Sequence, residues 1–91
     1  MQLKYTTQFL SKLEDIFSES DYILRYEKGK FQSGYCILKE TKIVIVNKYF
    51  PLEGRINSIV EILRSIALDI SKLSEKNRKL YHELNQMEIK L

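Results

Sequence analysis

The only histidine of the chain stands in His82-Glu83-Leu84-Asn85-Gln86. This string begins like the zinc motif in which two histidines one helical turn apart bind metal and the Glu between them acts as base. Position 86 is Gln, so the second histidine is missing. One histidine builds a catalytic zinc site with three protein ligands only if carboxylates supply the rest, and His82 is expected as an exposed helical side chain. Cys36, the single cysteine, would need a base within hydrogen-bond reach to act as a nucleophile. Between Tyr35 and Ile37 in a predicted strand, it is expected to pack as a small hydrophobe. Glu14, Asp15, Glu53, Glu61 and Asp69 show no paired spacing that separates them from solvated or capping residues. Gly29, Gly34 and Gly54 are too far apart in the chain to cradle a phosphate. The expectation is a protein without catalytic, cofactor-binding or metal-binding residues, and not an enzyme.

The elements that would have to position any such group are dominated by residues 55–91, which contain no Gly and no Pro. Ile56, Ile59, Leu63, Ile66, Ile70, Leu73, Asn77, Leu80, Leu84, Met87 and Leu91 recur at alternating spacings of three and four, the mark of one helical face. In the first half, Val60, Ile62 and Ala67 widen the stripe into a face that covers a sheet or another helix. In the second half the stripe narrows to the seam alone, flanked by Lys76, Arg78, Lys79, Glu83, Glu88 and Lys90, which suits one partner helix.

As one helix this stretch would run roughly 55 Å at about 1.5 Å per residue, and its distal half would project. In heptad terms Asn77 falls at an a position between Leu73 and Leu80 at d, where one buried Asn can set register in a parallel dimer. Glu83 at g would then oppose Glu88 at e of the partner, and an antiparallel pairing or a fold-back onto the first helix avoids that repulsion. The other reading is a break across residues 68–74, where Asp69, Ser71 and Ser74 are capable N-caps and Ser74-Glu75 starts a separate final helix. Both readings stand on the sequence.

The chain of 91 residues carries a formal net charge of +3 with acidic and basic residues interspersed, which is ordinary for one domain and no nucleic-acid signature by itself. No run of about eighteen apolar residues is present to span a membrane. Residues 1–10 are polar where a signal peptide needs an apolar block, so a cytoplasmic protein is expected. A lone cysteine excludes an internal disulfide.

Along the chain, Leu3, Phe9, Leu10, Leu13, Ile16 and Phe17 predict a first helix ending before the turn-prone residues 18–21. Strands follow at residues 22–27 and about 31–39, separated by Lys28-Gly29-Lys30. After Glu40-Thr41-Lys42 the β-branched run at residues 43–46 reads as a strand covered on both faces or central in its sheet. The predicted fold is α+β and occupies residues 1–91 as a single domain. It has an N-terminal helix, a three-stranded antiparallel β-meander, then a long or broken C-terminal helical segment, with residues 72–91 a projecting or folded-back interaction helix.

Gly34-Tyr35-Cys36-Ile37-Leu38, Ile43-Val44-Ile45-Val46-Asn47 and Glu53-Gly54-Arg55-Ile56-Asn57 leading into an apolar helix resemble the strand, strand, Arg-led helix core of the IrrE/ImmA-type minimal zincin peptidases. In that family the helix after the Arg carries two zinc histidines and a catalytic Glu. Aligned on Arg55, Glu61 falls near the Glu, but the histidine positions hold Val60 and Arg64. The resemblance, over residues 34–66, implies a helix, sheet, helix scaffold without the metal site, so no cofactor is expected.

Tyr22, Tyr26, Phe31, Tyr35, Tyr49 and Phe50 lie on or beside strands that also carry Arg25, Lys28, Lys30, Lys39, Lys42 and Lys48. Stacking aromatics with cations would suit single-stranded nucleic acid, although strand aromatics usually form the core and strand lysines block edge pairing. The leading expectation is a protein-interaction module that self-associates as a homodimer along Leu73, Asn77, Leu80, Leu84, Met87 and Leu91. Other protein partners, a nucleic-acid-binding sheet and an open sheet edge joining two copies are the alternatives.

Overall fold

A computed structural model describes residues 2–28 and 35–87. Helix α1, Thr7–Glu19, starts where the Thr6 hydroxyl accepts the Phe9 N–H at 3.1 Å, satisfying one of the orphan donors of the first turn. Its stripe of Phe9, Leu10, Leu13, Ile16 and Phe17 is buried. Strands β1 (Ile23–Glu27), β2 (Tyr35–Leu38) and β3 (Ile43–Asn47) form one sheet. Then come α2 (Leu52–Ser65), a 3-10 turn at Ile70–Lys72 and α3 (Glu75–Gln86). The fold is α+β, as expected.

The sheet is not an antiparallel meander. Its order is β1-β3-β2, with β1 parallel and β2 antiparallel to β3. Among the three strands, β3 has the most β-branched residues, and placed in the middle it makes a ladder on both edges and buries Val44 and Val46 completely. In a meander that position would go to β2, whose residues are half-buried or exposed. The sequence reading had offered a doubly covered strand or a central one; β3 is central, with one face covered.

The helical segment is broken. Helix α2 ends at Ser65 with Ile66 extended as its C-cap, Asp69 caps the 3-10 turn through the Ser71 N–H (3.0 Å), and Ser74 caps α3 through the Asn77 N–H (3.3 Å). Each cap offers the backbone a local bond that continuing the helix would forfeit. The molecule measures 35 × 30 × 22 Å, too short for the roughly 55 Å a continuous helix would need. Helix α3 instead folds back on α1 and α2, so Leu84 joins Leu13, Ile16, Val44, Val46, Ile56, Ile59, Ile62 and Leu63 in one core with no solvent exposure. Helices α1 and α2 cover one face of the sheet, and among the described residues no element covers the other.

Candidate functional site

The distal seam is occupied within the chain. Leu73, Asn77 and Leu84 are buried, Leu80 and Met87 pack half-buried against the core, and Leu91 lies outside the described residues. Asn77, read from the sequence as a dimer register device, joins α3 to α1. Its side-chain N–H groups donate to Asp15 Oδ2 (2.9 Å) and Glu19 Oε1 (2.7 Å), while Glu19 also accepts the Ser74 N–H at 3.0 Å. The Ser74 main chain and then Asn77 hold Glu19 below its usual carboxylate pKa, and Asn77 and then Ser18 do the same for Asp15. At the other end of α3, the Arg64 guanidinium donates to the carbonyls of Leu84 and Met87. These are terminal carbonyls with no partner inside the helix. The seam is thus an intramolecular contact, because short α3 can bury its stripe against α1 and α2 without a second copy.

The zinc-like strings are separated from any ligand set. His82 is exposed on α3, Val60 lies in the core, Arg64 is engaged by α3, and Glu61 accepts from the Tyr35 hydroxyl. Among the described residues, no three His, Cys, Asp or Glu side chains stand close enough to hold a metal. Burial and the Glu61 carboxylate together push the Tyr35 phenol up. Tyr26 behaves alike: burial first, then the bond to Glu14 Oε2 (2.6 Å), keeps its hydroxyl protonated, with the Arg55 guanidinium 5.3 Å over its ring. Arg55 also donates to the Lys48 and Phe50 carbonyls, fastening the link from β3 into α2.

The aromatic sheet face expected for nucleic-acid stacking is turned inward. Tyr22, Tyr26 and Tyr35 pack on the core beneath the helices. Tyr49 is exposed at the end of β3, under the Lys48 ammonium at 5.4 Å. Phe31 and Lys30 lie outside the described residues.

What the bare face carries is aliphatic. Strand alternation and the register put Ile23, Arg25 and Glu27 of β1, Cys36 and Leu38 of β2, and Ile43, Ile45 and Asn47 of β3 on it. Ile23 is 56 % and Leu38 43 % exposed, and Cys36, Ile43 and Ile45 are half-buried. The chain matches no family model, no curated protein and no solved structure.

Among the described residues, strand β1 is also an open edge. The Ile23 N–H donates to the Lys42 carbonyl (2.8 Å) and the Glu27 carbonyl accepts the Lys48 N–H (3.1 Å). In a parallel ladder these bonds commit the main chains of Ile23, Arg25 and Glu27 to β3, so those of Leu24 and Tyr26 face outward. A groove of about 390 Å³, lined by Glu14, Phe17, Tyr22, Leu24 and Tyr26, lies between α1 and β1 next to that edge. The sequence leaves residues 43–46 either covered on both faces or central in the sheet, and it offers an open sheet edge between copies as an alternative contact without saying which strand supplies it. The alternation Ile23, Arg25, Glu27 against Leu24, Tyr26 was the signal that β1 has one wet face.

Proposed function

We propose that this protein is a non-enzymatic binding module that engages another protein through its bare sheet, in the cytoplasm, where a single unpaired cysteine stays reduced. The observation that carries the reading is the aliphatic outer face of Ile23, Cys36, Leu38, Ile43 and Ile45 beside the open β1 edge. An antiparallel or mixed sheet with one solvated face is normally polar on that face, and clustered exposed aliphatics mark a contact surface. Five carboxylates are engaged within the fold: Glu14 binds Tyr26, Glu61 binds Tyr35, Asp15 and Glu19 bind Asn77, and Asp69 caps a turn.

Amine cross-linking of the protein in its native extract tests this. Lys39, Lys42 and Lys48 border the sheet, whereas Lys12, Lys76 and Lys79 lie on the helices. Cross-links to a partner are expected at the first three and reduced by Ile45→Lys, with the melting temperature of that variant little changed. Cross-links confined to Lys12, Lys76 and Lys79, unaffected by Ile45→Lys, would overturn the reading.

A further inference from the structure

We infer that the partner is a second copy of this chain, joined edge to edge through β1 in one register, with Tyr26 opposite Tyr26 of the second copy. The inference rests on the binding reading above and names its occupant.

The outward main-chain groups of Leu24 and Tyr26 lie on the edge of the sheet, where they form a ready template for a further strand. Antiparallel pairing about a two-fold axis perpendicular to the sheet is isologous, each residue meeting its counterpart reciprocally. It joins two three-stranded sheets into one and keeps both aliphatic outer faces on the same side.

Charge chooses among the registers. The outward-facing positions must form the hydrogen-bonded pairs, which leaves three compact alignments. Leu24 opposite Leu24 sets Arg25 against Ile23, with no charge partner. Leu24 opposite Tyr26 sets Arg25 directly against Arg25, a repulsion. Tyr26 opposite Tyr26 sets Arg25 of each copy against Glu27 of the other, in non-hydrogen-bonded pairs where side chains approach most closely. Within one chain Arg25 Nε already stands 3.8 Å from Glu27 Oε2, so the dimer would hold four alternating charges in a ring. That register also pairs Leu24 with Lys28, giving about six main-chain bonds across the axis. A plus and a minus two residues apart on one face of an edge strand are complementary to their own two-fold image.

The test uses the full chain with Arg25→Glu and Glu27→Arg, made separately. The two side chains are 54 % and 44 % exposed, so each variant is expected to keep the wild-type fold by circular dichroism, with a melting temperature lowered only by the loss of dimerisation. Light scattering on a sizing column should give a dimer for wild type. Each single variant should dissociate at least about tenfold more readily, since two opposed pairs become like-charged. An equimolar mixture of the two variants should dimerise again, because every Glu then meets an Arg. The double variant in one chain should also recover the wild-type dimer. Dimers unaffected by either change would overturn the β1 register, and if Ile45→Lys dissociated them the sheet-binding reading would stand without it. A single-chain mass for wild type at every concentration would overturn the second copy as partner, while sheet-side cross-links to a different protein would preserve the broader reading.

Discussion

Truncating Leu84 separates the folded-back helix from a projecting one. Its side chain has no exposure and sits in the common core with residues of α1, α2 and β3. Leu→Ala at such sites costs about 2–5 kcal/mol, the lost transfer energy plus the cavity. Taking about 3 kcal/mol, and an unfolding entropy near 190 cal/mol/K for a chain of this length, the melting temperature of Leu84→Ala should fall by about 15 °C. Leu80→Ala, at a half-buried position on the same helix, should cost about 1 kcal/mol and about 5 °C. Circular dichroism melts give both values. Urea titration should shift the midpoint with the slope unchanged. Leu80→Glu with Leu84→Glu should unfold the chain altogether. A drop under about 5 °C for Leu84→Ala, accompanied by a fall in solution mass, would refute the core assignment and return the seam to an interface between copies.

Removing Arg64 by Arg64→Ala should strand the Leu84 and Met87 carbonyls. It should speed amide exchange over the last turn of α3 by about tenfold or more, given the usual worth of charged hydrogen bonds; unchanged exchange would dismiss the cap. Acid should loosen the α1–α3 junction. Glu19 and Asp15 have folded-state pKa values below their ordinary 4.5 and 3.8, so their stabilisation is present above those values and is lost as pH falls through the lowered ones. Melting temperature should drop more steeply below about pH 5 in wild type than in Glu19→Gln, and equal slopes would contradict the pin. Asn77→Asp, which places a third carboxylate beside Asp15 and Glu19, should destabilise by about 3 kcal/mol at neutral pH and recover partly on mild acidification. A neutral-pH melt equal to wild type would oppose this geometry.

Local chemistry was legible in the residues themselves. The stripes of α1 and α2 follow from apolar spacing, the three strands from runs of β-formers, and the break before α3 from Ser74 and Asp69 as one of two readings left open, because these depend on neighbours within a turn or two. The same sequence carried the periodic seam through Leu73, Asn77, Leu80 and Leu84 but not its partner, since a helical stripe specifies what it wants to bury and not which surface covers it. Only the tertiary structure decided that α1 and α2 do so, and that Asn77 answers two carboxylates some sixty positions earlier. Strand order was likewise undetermined: turn residues announce that the chain reverses, while the choice of neighbour depends on which strand gains most from two ladders. Once β3 took the centre, β2 became the second edge, and half-buried Ile43 and Ile45 came to stand beside exposed Ile23 on the uncovered face. The candidate surface is therefore a product of topology, assembled from residues that look like core when read one strand at a time.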